Sequence, residues 1–100
     1  MYLSENQIVV LQQFFKTKPV LNAYLFGSYA RGEADEQSDV DILVDLDHTL
    51  LIGLKFFDIS DDLEKIMNRK IDLVPSDAVS PFLKKIIESE KKLLYERGIE

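Results

Sequence analysis

Ile8, Leu11, Phe14 and Phe15 recur at the three- and four-residue spacing of a helix face. Ser4 and Gln7 stand just ahead of them in a capping-box pattern, so a first helix is predicted over Ser4 to Lys16, with Pro19 ending the stretch. Val20 to Phe26 is apolar and aromatic and stops at Gly27, as a strand does. Ser28 to Gly32 is short enough for one helical turn, and Glu33 to Ser38 is a polar loop. Val40, Ile42 and Val44 then alternate with Asp39, Asp41 and Leu43, which predicts a second strand with one aliphatic face. Thr49 to Asn68 reads as mostly helical, because Ile52, Phe56, Ile59, Leu63 and Ile66 keep a 3.6-residue period. Ile71 to Val74 is a short third strand closed by Pro75. Ser80 and Pro81 suit the N-cap and first position of a last helix, whose stripe is Phe82, Leu83, Ile86 and Ile87. Lys92 to Tyr95 is read as an edge strand. The order predicts a small α/β (α+β) sandwich with helices covering one sheet face.

Composition bounds this picture without changing it. The chain has 100 residues, 46% of them apolar, with no proline- or glycine-rich divider, and is expected to form a single domain over residues 1–100. It has no cysteine, which excludes disulfides and thiolate metal sites. Eighteen acids against twelve Lys and Arg give a net charge of −6, a poor match to a nucleic-acid backbone. No apolar run approaches a membrane span, and no signal peptide is visible, so a cytoplasmic setting without membrane contact is expected.

Candidate chemistry gathers at Gly27-Ser28 and at Asp39 and Asp41. A strand ending in Gly-Ser before a helical turn leaves backbone N–H groups for an anion, and the Ser28 hydroxyl can donate one more hydrogen bond. Gly27 and Gly32 have P-loop spacing, but Glu33-Ala34 follow where Lys and Ser/Thr are needed. A calcium loop starting at Asp39 fails as well, with Val44 at its sixth position and Leu50 at its twelfth. Asp39 and Asp41, two apart in a strand, share a face. Taken alone they fit either a solvated strand face or a pair of hard ligands for Mg²⁺ or Mn²⁺. Asp72 tips the balance: flanked by Ile71 and Leu73, it points away from the core and joins the other two if the strands are neighbours. Three carboxylates beside a phosphate-binding turn describe a site for phosphoryl or nucleotidyl transfer, with Asp72 as metal ligand, general base or both.

As a unit, Gly27-Ser28-x-Ala30-Arg31-Gly32 followed by Ser38-Asp39-x-Asp41-Ile42 resembles the minimal nucleotidyltransferase family, within the DNA polymerase β-like nucleotidyltransferase superfamily. The resemblance spans nearly the whole chain. It implies a mixed sheet with helices packed on one face, nucleoside triphosphate held at Gly27 and Ser28, and Mg²⁺ at Asp39 and Asp41, with Asp72 matching the family's third carboxylate; Arg31 is a candidate further phosphate ligand. Two ions are implied, with Mn²⁺ as a substitute and ATP or another triphosphate as substrate. It further implies a helical HEPN-type partner, a toxin whose tyrosine hydroxyl receives AMP from this chain as antitoxin. The alternative is a non-catalytic antitoxin that neutralises its partner by occlusion. Extension of nucleic-acid 3′ ends is disfavoured by the acidic charge. Homodimerisation stays open.

Other residues carry blander expectations. Arg31 either holds phosphate or pairs with Glu33 or Asp35. Tyr29 is expected to pack or face solvent. His48, the only histidine, belongs to a loop, and Asp45 to a strand end. Phe56 and Phe57 are core, with one of them possible as a partner contact. Asp58, Asp61, Asp62 and Glu64 form a solvated helix face. Lys84, Lys85, Lys91 and Lys92 form a basic cluster on a solvated face.

Overall fold

The computed structural model describes residues 1–47 and 55–98. Helix α1 (Glu5–Lys16) is followed by strand β1 (Val20–Phe26), the single-turn helix α2 (Ser28–Arg31) and strand β2 (Val40–Leu46). Helix α3 (Lys55–Met67), strand β3 (Ile71–Pro75), a 3₁₀ turn (Ser76–Ala78), helix α4 (Pro81–Glu90) and strand β4 (Lys92–Glu96) complete the order. The predicted helix over Thr49 to Asn68 is present from Lys55 onward; its first residues, and His48, lie outside the described residues. Strand β2 begins at Val40, so Asp39 is the residue just before the strand rather than its first member.

Local chemistry sets the ends of these elements. Both halves of the Ser4–Gln7 capping box form: Ser4 Oγ accepts from the Gln7 amide, and Gln7 Oε1 accepts from the Ser4 amide. Ser80 Oγ accepts from the Leu83 amide, with Pro81 in the first turn where a missing N–H costs nothing. Asn68, at φ 52°, stands in the left-handed conformation just past α3.

The strands form one mixed sheet in the order β3-β2-β1-β4. β1 runs antiparallel to both β2 and β4, while β2 and β3 are parallel. The parallel pair requires a crossover, and α3 supplies it. Ala23, Leu25, Val40, Ile42, Val44, Ile71 and Leu73 face the main core, against Leu11 and Phe15 of α1 and Ile59 and Leu63 of α3. Phe56 packs at the border of this core and Phe57 is exposed.

Helix α4 corrects the expectation of helices on one face. Its buried Ile87 packs on Phe26 and Leu43, which point away from the main core, so α4 covers part of the opposite face. The reason is the two-residue period: Phe26 and Leu43 alternate with core residues and would otherwise lie bare in water. The remainder of that face is open, and it carries the acidic residues.

Candidate active site

Strand register brings the predicted residues together. Phe26 is paired with Asp41, so Gly27, the next residue of the chain, emerges beside Asp41. On the other side of β2, Asp41 is the direct partner of Asp72 in the parallel ladder. Asp72 is exposed between buried Ile71 and Leu73, as the alternation predicts. Asp39 is half-buried at the entry to β2.

The electrostatics follow from this crowding. The Asp41 carboxyl is pushed up to about 6, first by burial, then by the negative charges of Asp72 and Asp39, with a hydrogen bond to Asp72 acting in the same direction. Arg31 opposes the shift. A carboxyl whose ionisation is opposed by like-charged neighbours is a site where a cation can offset the charge. The donors are oxygens only, which suits a hard divalent ion. Among the described residues, no three His, Cys, Asp or Glu side chains converge into a ready cage. Mg²⁺ tolerates that, since it binds through one or two carboxylates plus substrate phosphates and keeps several waters.

Gly27 is required twice over. Its backbone sits at φ 74°, ψ −154°, a conformation open to glycine almost alone. A Cβ there would collide with the Asp41 carboxylate. Glycine thus lets the turn close directly over the acidic residues. The amides of Ala30 and Arg31 bond back to the Gly27 carbonyl, and Gly32, at φ 75°, closes the turn through its N–H on the Ser28 carbonyl. Ser28 is half-buried beside Gly27. Tyr29 is core, 2% exposed, and its hydroxyl accepts a hydrogen bond from Arg69.

Arg31 pairs with Glu33, as one expectation had it, and with a residue that sequence reasoning missed. Its Nε donates to Glu33 Oε1 at 2.7 Å and its Nη1 to Glu90 Oε2 at 2.7 Å. These two bonds, Glu33's first, raise its already high pKa further. The other oxygen of Glu90 accepts from the Gly27 amide at 3.4 Å. Glu64 is also more than a solvated acid: its Oε2 accepts from the Ile71 amide at 3.0 Å, fastening α3 to the start of β3. Nothing in the spacing of Glu90 or Glu64 separates them from neighbouring helix-surface acids. Asp45 accepts from Asn22 Nδ2 at 3.1 Å on the acidic face. Beyond Asp41 on that face lies a cavity of about 400 Å³ lined by Tyr24, Leu43, Asp45, Ile87 and Lys91 among others.

Comparisons with known proteins agree on one fold. A family model described as a nucleotidyltransferase domain matches residues 8–94. A protein of Methanocaldococcus jannaschii that carries a provisional protein adenylyltransferase name is 42% identical over 82 residues, covering 81% of this chain and 80% of that one. Protein adenylyltransferase MntA of Thermococcus cleftensis is 41% identical over 66 residues, 66% of each chain. A solved toxin–antitoxin structure with AMP-PNP superposes with a TM-score of 0.73 at 27% identity, covering 96% of this chain and 76% of that one. Among the described residues, no helix is long and apolar enough to cross a membrane.

Proposed function

Because the chain belongs to the nucleotidyltransferase family, we propose that it transfers AMP from ATP to a tyrosine hydroxyl of a helical HEPN-type toxin, acting as the antitoxin. The observation that carries this reading is the Asp41–Asp72 adjacency beside the Gly27-Ser28 turn. Two relatives are named for protein adenylylation, one of them provisionally, and a structural neighbour is a toxin–antitoxin with an ATP analogue, which supports the same chemistry and setting.

In this reading Gly27 and Ser28 would donate N–H and hydroxyl to phosphate oxygens, and Arg31 would add positive charge. Asp39, Asp41 and Asp72 would hold Mg²⁺, two ions or Mn²⁺ in its place. The bound metal supplies neutralisation of the charge that builds on the phosphates. Asp72, exposed on the edge strand, is open to an acceptor and is suited to take the hydroxyl proton at its carboxylate. The cavity of about 400 Å³ on the same face is of ligand-binding size and suits the nucleoside.

The test is incubation with labelled ATP, Mg²⁺ and the protein encoded by the adjacent gene. Label is expected on that partner, and Asp39→Ala/Asp41→Ala is expected to reduce transfer roughly 10²–10⁴-fold. No transfer by the wild type, or equal transfer by the double variant, overturns the reading. Protection of cells by the double variant would favour occlusion instead.

A further inference from the structure

Glu90 is the last residue of α4, far in sequence from the Gly-Ser turn, yet its carboxylate lies on that turn's donors. One oxygen takes Arg31 Nη1 at 2.7 Å and the other takes the Gly27 amide at a longer 3.4 Å. Its side chain is 15% exposed, whereas that of Glu33, the other partner of Arg31, is 66% exposed. A carboxylate offers these donors what a phosphate oxygen offers, negative charge and lone pairs in hydrogen-bonding reach.

We propose that Glu90 occupies the phosphate-binding donors in the nucleotide-free protein, and that an incoming nucleotide phosphate must displace it. This inference deepens the reading of Gly27 and Arg31 as phosphate ligands and rests on it. Arg31 between two carboxylates carries more negative than positive charge around it, so a phosphate meets repulsion until Glu90 leaves. Displacement needs only side-chain rotation, because Glu90 ends its helix and nothing in the turn has to unwind. Glu90 therefore sets nucleotide affinity while touching no part of the bound nucleotide.

Titration calorimetry with Mg·ATP and with inorganic tripolyphosphate tests this. Glu90→Gln keeps the size of the side chain and removes its charge. It is expected to bind both ligands about tenfold tighter than the wild type, the scale of one charge-assisted hydrogen bond no longer competed for. Glu33→Gln removes the same charge from the same arginine without freeing Gly27, and is expected to change affinity less than about threefold. Equal or weaker binding by Glu90→Gln, or equal tightening by Glu33→Gln, overturns the proposal. Nuclear magnetic resonance on the wild type gives a check that needs no variant. Tripolyphosphate is expected to shift both the Gly27 amide and the Glu90 carboxyl carbon, and a Gly27 shift without a Glu90 shift overturns displacement. If wild type binds and Glu90→Gln is unchanged, only displacement fails. If neither protein binds, the phosphate-site reading fails with it.

Discussion

Asp41 of β2 and Asp72 of β3 are direct partners in the parallel ladder, and the negative charge of Asp72 helps to push the Asp41 carboxyl up. Two such groups cannot both ionise cheaply, and only one proton or one cation settles them. The fold keeps this adjacency through the buried aliphatic residues on the reverse of each strand. Val40 and Ile42 pair with Ile71 and Leu73 and fix the register that sets the two acids side by side.

The raised Asp41 pKa makes stability depend on pH in a definite direction. The group moves from its ordinary 3.8 to about 6, so between those values the folded chain keeps a proton the unfolded chain has lost. Stability therefore falls as pH rises through that window. Asp41→Asn is expected to stabilise the protein at pH 7 by on the order of 1 kcal/mol after solvent screening. That corresponds to a rise of roughly 4–8 °C in Tm. At pH 3.5 the gain should vanish. Thermal melts of both proteins at the two pH values check it, and an equal gain at both would contradict the cause assigned.

A divalent cation should relieve the same repulsion. Mg²⁺ at ten times its Kd is expected to stabilise the wild type by about 1.4 kcal/mol, reversed by chelator. Asp41→Asn should respond far less, since it lacks the charge that the ion compensates. A Tm that ignores Mg²⁺ in the wild type would remove the carboxylates as its site.

Much of this site is legible in the sequence because its parts are local. Alternation around Asp41 and Asp72 fixes which way each side chain points, and Gly27 ends its strand visibly. What joins distant segments is not legible. Glu90 meets Gly27 only because α4 crosses the acidic face, and nothing in its own helix marks it apart from Glu88. The side of the sheet that α4 covers follows from the need to bury Phe26 and Leu43, a demand set by the sheet rather than by α4's own stripe. The mixed sheet was implied by family resemblance, whereas the seat of β4 beside β1 depends on long-range pairing with Ala23 and Tyr24 that periodicity does not encode.

Gly27→Ala should be among the costlier single-methyl additions in the chain. It places a side chain in a glycine-only conformation and drives the new methyl into the Asp41 carboxylate. A loss of about 1–3 kcal/mol is expected from backbone strain alone. Gly98, at φ 89° with nothing near its would-be Cβ, isolates the backbone part. Urea melts of the two alanine variants should show the larger loss at Gly27, and the reverse order would remove the close approach to Asp41 as its cause.

Glu64 offers a way to move Asp72 without touching it. Its carboxylate accepts from the Ile71 amide one residue before Asp72, so it helps fix where β3 begins. Glu64→Ala leaves that half-buried N–H without its acceptor, at an expected cost of about 1–3 kcal/mol. Asp72 then loses part of its support, while Gly27, Ser28 and Arg31 keep theirs. The expected kinetic signature is a lower kcat for transfer at nearly unchanged KM for ATP. Glu64→Gln retains an acceptor oxygen and should restore most of both stability and kcat. If Glu64→Gln behaves like Glu64→Ala, the charge of Glu64 rather than its hydrogen bond to Ile71 is what the site requires.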